Sequence, residues 1–205
     1  MKTIVFANPK GGVGKSTIAA LFVEWCDHNN ISVKTVDGDP NQTFNTWCLY
    51  RAKEGRPIPE VKGTTELTIV DTAGTSNSAL SWLNKADLVI TPFKPNFADL
   101  DLTVQWFQTL NSSLQSKLLF VPNMTGQASE HVYGMDEIEK ITTETGYGVV
   151  LSKYALKNRD AVYPEVLKGL PNNFFALGSK FKNAQTEFSA LAKAILKHGN
   201  KLAQA

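Results

Sequence analysis

The chain has 205 residues, of which 42% are hydrophobic and 20% charged, and a formal net charge of +2. This composition suits one well-packed domain spanning residues 1–205, and its short apolar runs argue against a transmembrane helix. The first nine residues hold one charge and a five-residue apolar stretch, too little for a secretory signal. With only Cys26 and Cys48, we expect no disulfide framework and no metal cluster, and the predicted location is the cytoplasm.

Short apolar segments alternate with segments of helical periodicity along the chain. The predicted strands are residues 3–7, 32–37, 67–70, 87–91, 117–121 and 148–151. The predicted helices are residues 17–28, 41–53, 78–85, 99–110, 135–145 and 180–198. Strands of four to six apolar residues separated by helices indicate an α/β fold. We predict a single doubly wound, mostly parallel sheet with helices on both faces.

The most informative segment is residues 10–17, which read KGGVGKST and join the first predicted strand to the first helix. Glycines let backbone N–H groups approach phosphate oxygens, and the positive end of the helix dipole favours the same anion. In such a loop Lys15 reaches the β- and γ-phosphates, and the Ser16 hydroxyl ligates Mg²⁺. The predicted ligands are therefore ATP and Mg²⁺; the alternative is a glycine-rich turn without a ligand. The predicted nucleotide-binding residues of the loop are Gly11, Gly12, Val13, Gly14, Lys15, Ser16 and Thr17.

Two features of the loop depart from the usual G-x-x-x-x-G-K-[ST] pattern. Pro9 stands where the first glycine is expected, and a second lysine, Lys10, lies inside the loop. K-G-G-x-G-K-[ST] resembles the deviant Walker A motif of the ParA/MinD superfamily of dimerising ATPases, which have a P-loop NTPase fold. The resemblance implies that Lys10 reaches across a nucleotide-sandwich homodimer to the ATP of the partner protomer. Lys10 and Lys15 would then both be catalytic.

Three aspartates follow predicted strands: Asp37 and Asp39 come after the second strand and Asp71 after the third. Ligands of a doubly wound sheet bind at the carboxyl ends of its strands, so these side chains should meet the phosphate loop. Asp71 is the Walker B candidate, which holds Mg²⁺ through a bound water. An aspartate that merely ends a strand is the alternative. Gly74, three residues further, is a candidate hinge that moves with the γ-phosphate.

Residues 37–40, which read DGDP, resemble the second acidic box of the same family, D-x-D-P-Q. The resemblance implies that Asp39 positions the attacking water as a catalytic residue and that Asp37 lies near Mg²⁺. Asn41 occupies the position of the family's glutamine, and Gln42 follows one residue late, so the glutamine's role is not assigned to Gln42. A plain turn is the alternative, because Asp, Gly and Pro all favour turns.

One residue beyond the last long predicted strand is a candidate for reading the base. Asn123 follows strand 117–121, where members of the family have an asparagine that bonds the edge of adenine. The resemblance therefore implies that Asn123 contacts the base. An ordinary loop asparagine is the alternative.

The last 60 residues hold nine basic and three acidic residues, a net charge of +6, whereas the remainder carries −4. A basic final third is a candidate surface for a polyanion, and a solvated helical face is the alternative. The resemblance implies that Arg159 binds non-specific DNA, unless it pairs with Asp160 or Glu165. The predicted DNA-binding residues are Lys157, Arg159, Lys168, Lys180 and Lys182.

The resemblance implies a ParA-type partition ATPase that hydrolyses ATP when a centromere-binding, ParB-like partner stimulates it. Such a protein would be cytoplasmic and associated with the nucleoid, and the missing helix-turn-helix extension resembles the short plasmid-partition type. A membrane-associated, MinD-like regulator is an alternative, although helix 180–198 spaces its apolar residues for core packing rather than for a membrane. Further alternatives are a positioning ATPase for a conjugation complex, carboxysome or chemoreceptor array, and a metabolic relative of the same fold.

Overall fold

The computed structural model describes residues 2–58, 66–73, 77–126 and 129–202. Its strands are β1 (Lys2–Phe6), β2 (Val33–Gly38), β3 (Leu67–Thr72), β4 (Leu88–Phe93), β5 (Leu118–Pro122) and β6 (Val149–Val150). Its α-helices are α1 (Lys15–His28), α2 (Thr43–Lys53), α3 (Asn77–Lys85), α4 (Phe97–Thr109), α5 (Ser112–Gln115), α6 (Ser129–Thr145) and α7 (Lys182–Leu202). Short 3₁₀ helices lie at Ser152–Tyr154, Tyr163–Lys168, Phe174–Ala176 and Ser179–Phe181.

The six strands form one sheet in the order β2-β3-β1-β4-β5-β6, and every pair is parallel. Parallel neighbours need crossover helices, which explains why strands and helices alternate along the chain. This arrangement confirms the predicted doubly wound α/β fold of the P-loop NTPase type. It also places β3 and β4 on either side of β1, so that the loops after all three strands meet at one edge.

Two hydrophobic cores cover the two faces of the sheet. Ile4 and Phe6 of β1 point into a core shared with α1 and α7, whereas Val5 points into a core shared with α4 and α6. This separation follows from the strand repeat of two, which sends alternate side chains to opposite faces. Phe22 and Phe188 are fully buried in the first core. Each such side chain stabilises the fold by roughly 1.5–3 kcal/mol.

Several helix boundaries differ from the prediction because a single residue fixes the start. The helix predicted from residue 99 begins at Phe97, since the Asn96 side chain caps it by accepting from the Asp99 N–H. The helix predicted from residue 41 begins at Thr43, because Gln42 adopts a left-handed φ of 53°. Helix α6 begins six residues before the predicted start, and α7 runs from Lys182 to Leu202.

The four 3₁₀ helices were not predicted, because such short elements have no hydrophobic period to reveal them.

A cluster of buried charged residues holds the segment that contains these 3₁₀ helices, residues 152–181, against α1. Glu24 binds Arg51 at 3.2 Å and Arg56 at 2.7 Å, and it accepts the Phe174 N–H at 3.1 Å. The segment between β6 and α7 is thereby held beside the carboxyl-terminal half of α1. Within the described ranges, no helix combines the length and apolarity needed to cross a bilayer.

Candidate nucleotide-binding site

The phosphate loop turns directly from β1 into α1. Gly12 and Gly14 have φ values of 73° and 96°, which glycine adopts without the strain that a side chain would cause. Gly14 is the N-cap of α1 and supplies no side-chain cap, so the first N–H groups of the helix remain available to an anion. The backbone therefore has the geometry that the sequence predicts for a phosphate cradle.

Lys15 points into this site. Its side chain is 9% exposed, and its Nζ donates to the Lys10 carbonyl at 3.1 Å, across the loop. Burial lowers the pKa of Lys15, while the negative charges of Asp71 and Asp39 oppose that shift. A largely buried ammonium group has few water molecules around it, so a polyphosphate that reaches it can form strong charge-assisted hydrogen bonds.

Two of the three residues predicted to lie at Mg²⁺, Ser16 and Asp71, are in contact. The Ser16 hydroxyl donates to Asp71 Oδ2 at 2.5 Å, which joins the first turn of α1 to the end of β3. Asp71 is fully buried, and its Oδ1 has no hydrogen-bond partner within the described part of the chain. A buried carboxylate oxygen without a partner is costly unless a cation satisfies it. Ser16 and Asp71 therefore fit Mg²⁺.

The second acidic box forms a hydrogen-bonded turn at the same edge. Asp37 lies opposite Asp71 in the register of β2 and β3. Its two carboxylate oxygens accept the N–H groups of Asp39 and Asn45 at 2.9 and 2.8 Å, so it caps the turn and the start of α2. Asp39 Oδ1 accepts the Asn41 N–H at 2.9 Å. Asp37 thus fixes the backbone of Asp39, whose negative charge lies close enough to Lys15 to affect its pKa.

Gln42 folds back onto its own turn. Its amide nitrogen donates to the Asp39 carbonyl at 2.9 Å, and its amide oxygen accepts from the Asn45 side chain at 3.3 Å. Both ends of the Gln42 amide are therefore bonded within the turn. The role of the family's glutamine is accordingly not assigned to Gln42. Gly74 lies outside the described residues.

Asn123 lies beneath the phosphate loop. It is 4% exposed, and its amide nitrogen donates to the Val13 carbonyl at 2.8 Å. Asn123 also lines a pocket beside α1, and sequence reasoning did not find the other walls of that pocket. Its lining includes Thr17, Ile18, Leu21, Asn123, Met124, Leu156, Tyr163 and Pro164, together with residues 157–160. Thr17, the last residue of the phosphate loop, also lines this pocket, and contact between Asn123 and the base stays a prediction.

Two of the predicted DNA-binding residues belong to the wall of this pocket. Arg159 binds Glu187 Oε2 of α7 at 2.9 Å, and Glu187 Oε1 accepts from the Tyr163 hydroxyl and the Lys157 N–H at 2.7 and 2.9 Å. The ion pair of Arg159 is therefore made with Glu187 and not with the two nearby acidic residues of its own segment. The hydrogen bond that Arg159 donates to Glu187 raises the pKa of Arg159 further, so this guanidinium stays charged.

The remaining predicted DNA-binding residues are exposed lysines. Lys168 pairs with Glu165 at 2.7 Å, Lys180 lies 5.6 Å from the centre of the Phe181 ring, and Lys182 begins α7. Lys157 is also exposed. The exposed pair of Lys168 and Glu165 contributes little to stability, and DNA binding by these lysines stays a prediction.

Lys10 lies at the rim of the site, with 32% of its side chain exposed, and its Nζ binds Asp99 Oδ1 of α4 at 3.0 Å. Sequence reasoning missed Asp99, as well as Asn8, whose Oδ1 accepts the Lys10 N–H at 2.8 Å. The available signal was the pair Asn96 and Asp99, three residues apart before an amphipathic segment, which is typical of a capped helix start.

Lowering the pH from 8 to 5 should stabilise the protein in the absence of Mg²⁺. Burial raises the pKa of Asp71 from 3.8 to about 7, although the Ser16 hydrogen bond favours the charged form. Because the folded state binds this proton more tightly, the ionised carboxylate opposes folding fully above pH 7, and the penalty fades as the pH falls towards 4. We expect a gain of roughly 2–3 kcal/mol in the free energy of unfolding, measured by urea unfolding in EDTA.

The control for this experiment is Asp71→Asn, which keeps the shape of the side chain and removes its titration. When the pH is lowered from 8 to 5, the unfolding free energy of Asp71→Asn should rise by roughly 2–3 kcal/mol less than that of the native chain. If the unfolding free energies of the two proteins depend on pH in the same way, Asp71 does not titrate between pH 5 and pH 8.

A buried, lysine-bearing phosphate loop at the carboxyl edge of a parallel sheet defines a P-loop nucleotide-binding protein. Residues 4–172 match the CobQ/CobB/MinD/ParA nucleotide binding domain, and the chain belongs to that family. The resemblance inferred from the loop and the acidic boxes is thereby confirmed.

Three relatives illustrate this membership. The chain is 28% identical to the protein ParA of Rhizobium radiobacter over 125 residues, which cover 54% of this chain and about half (56%) of that protein. It is 22% identical to the maintenance of carboxysome distribution protein A of Halothiobacillus neapolitanus over 215 aligned residues, 95% of this chain and 96% of that one. The septum site-determining protein MinD of Pyrococcus horikoshii, solved with Mg-ADP, superposes with a TM-score of 0.66 at 17% identity and covers 100% and 99% of the two chains.

Proposed function

We propose that this chain is a ParA-type partition ATPase. ATP and Mg²⁺ close a sandwich dimer through Lys10, the dimer binds DNA without sequence preference, and a ParB-like partner bound to plasmid DNA stimulates hydrolysis. Residues 1–205 act as a single ATPase domain, in the cytoplasm and on the nucleoid. A role in partition or positioning is supported by the family and by the relatives named ParA and carboxysome distribution protein A.

The observation that carries this proposal is that the two lysines of one loop point in different directions. Lys15 is buried among the carboxylates of the site, whereas Lys10 stays partly exposed at its rim. One lysine therefore serves the phosphates of its own protomer, and the other is available to a facing protomer. A γ-phosphate enclosed between two protomers needs more than one cation, because transition-state charge spreads over its oxygens.

The described residues supply the chemistry of hydrolysis. When bound, Mg²⁺ neutralises charge on the β- and γ-phosphates, and Ser16 and Asp71 are the residues that hold it. Asp39, fixed by Asp37 and by the Asn41 N–H, orients the attacking water. Phosphoryl transfer depends mainly on positioning and electrostatics, so a single oriented carboxylate suffices for this step.

Asp39→Ala should bind ATP about as tightly as the native chain and hydrolyse it roughly 100-fold more slowly, because the attacking water loses its acceptor. The protein should then remain on DNA after ATP is added. Basal phosphate release and the rate of dissociation from duplex DNA measure the two effects. The matched control is Asp101→Ala, which removes an exposed carboxylate outside the acidic box and should retain the native rate.

The first test of the proposed function is binding to random-sequence duplex DNA with ADP, ATP or a non-hydrolysable ATP analogue. The proposal requires binding with ATP or the analogue that weakens steeply as salt rises, because contacts to phosphates release counterions. Lys10→Ala serves as the control: it should still bind nucleotide but lose both the dimer and the DNA. A lack of DNA binding in every nucleotide state would overturn the DNA-riding role.

Two other functions are separable by experiment. A positioning ATPase for another cargo is favoured by the alignment with the carboxysome distribution protein, which covers nearly the whole of both chains. Its DNA binding would be the same, so identification of the partner protein decides. A MinD-like membrane regulator would bind liposomes with ATP. The apolar face of α7, including Phe188, Leu191 and Ile195, is buried in the core, which disfavours that function.

A further inference from the structure

The side chain of Lys10 is held within its own protomer. Its ammonium group lies 3.0 Å from Asp99 Oδ1, and the two side chains are 32% and 14% exposed. Asp99 belongs to the first turn of α4, which follows β4, the strand next to β1. The contact therefore joins the start of the phosphate loop to a neighbouring crossover helix.

The carboxylate of this pair is fixed by the cap of α4. The Asn96 side chain donates to Asp99 Oδ2 at 3.0 Å and accepts the Asp99 N–H at 2.9 Å. Burial alone would raise the pKa of Asp99, but the hydrogen bonds from Lys10 and Asn96 outweigh it, so the pKa lies below its ordinary value. Asp99 is consequently ionised at neutral pH, and its hydrogen bonds with Asn96 hold it at the helix start if Lys10 leaves.

The backbone of Lys10 is fixed as well. Asn8 is fully buried, accepts the Lys10 N–H at 2.8 Å and donates to the Pro92 carbonyl at 2.8 Å. Its amide also donates to the Thr103 hydroxyl of α4 at 3.0 Å. With both the loop and the helix start anchored, only the flexible side chain of Lys10 is free to change its partner.

We propose that Asp99 is a positioning residue for Lys10: it retains this lysine in the isolated protomer, and the bridge opens when Lys10 crosses to the ATP of a second copy. This inference rests on the proposed sandwich dimer. Closing a symmetric dimer breaks two such bridges, one in each protomer. Asp99 thus opposes dimerisation until two nucleotides are in place, and it prevents Lys10 from binding stray anions.

The strength of the bridge is suitable for a reversible contact. A partly exposed ion pair changes an equilibrium by a factor of about two to five. A triphosphate offers Lys10 several negative charges and stronger charge-assisted hydrogen bonds, so it can displace a single carboxylate. Removing both bridges should tighten the dimer about fourfold to twenty-five-fold, because the two factors multiply.

The test compares Asp99→Asn with Asp101→Asn, which removes an exposed negative charge from the same helix, two residues away. Asp99→Glu restores the charge. The first readout is acetylation of Lys10 by acetic anhydride in the nucleotide-free protein, followed by mass spectrometry with exposed Lys182 as reference. The second is the concentration midpoint of dimer formation with a non-hydrolysable ATP analogue, measured by sedimentation velocity. Urea unfolding verifies that each variant folds.

The proposal requires that Asp99→Asn speeds acetylation of Lys10 about twofold or more and lowers the dimer midpoint by the factor given above. Asp101→Asn and Asp99→Glu, which keep a negative charge at residue 99, should both behave like the native chain. Unchanged acetylation would show that the bridge does not exist in solution. Faster acetylation with an unchanged midpoint would show that the bridge does not oppose dimerisation. If the native chain and Asp99→Asn both stay monomeric with the analogue, the sandwich dimer itself is wrong, and the positioning role falls with it.

Discussion

Lys15→Ala should weaken ATP binding about 100-fold, the loss expected when the charge-assisted hydrogen bonds of one buried ammonium group disappear. Lys15 is 9% exposed and lies beside Asp71 and Asp39. Without its positive charge, the phosphates would face these two carboxylates with less compensation. Isothermal titration with ATP and Mg²⁺ measures the change.

Lys10→Ala is the matched control, because it removes an equal charge from the same loop. Lys10 lies at the rim and is held by Asp99, so nucleotide binding to one protomer should change by no more than about threefold. Equal losses of ATP affinity in the two variants would contradict the separate roles of the two lysines.

Gly14→Ala should destabilise the protein by about 2–4 kcal/mol and abolish nucleotide binding. Gly14 has a φ of 96°, where an L-residue is strained, and a methyl group there would collide with the Asn123 amide nitrogen. Asn123 cannot withdraw easily, because it is buried and bonded to the Val13 carbonyl. Urea unfolding and ATP titration measure the two effects.

Two comparisons separate the causes of this loss. Gly11→Ala introduces the same methyl group where no atom lies within 4 Å and where φ is outside the left-handed region, so its unfolding free energy should stay within about 1 kcal/mol of native. In the double variant of Gly14→Ala and Asn123→Ala, the stability lost through the collision should be recovered. The stability lost through the strained φ of residue 14 should remain lost. A fully additive double variant would mean that the two residues do not touch.

The sequence by itself determined the parallel sheet, the phosphate loop and the contact between Ser16 and Asp71. Each of these is encoded by neighbouring residues: apolar runs form buried strands, and residues 10–17 contain almost every group that a phosphate needs. Asp71 could be placed because the carboxyl ends of parallel strands share one edge. Ser16 and Asp71, 55 residues apart, were therefore expected together and do meet.

Only the tertiary structure decided which distant side chains support that loop. The order β2-β3-β1-β4-β5-β6 brings β4 beside β1, and this places Asp99 against Lys10. The same packing places Asn123 under Val13, 110 residues away, and pairs Arg159 with Glu187. Local patterns cannot specify such pairs, because hydrophobic periodicity fixes which face of an element is buried but not which polar groups then meet at its ends.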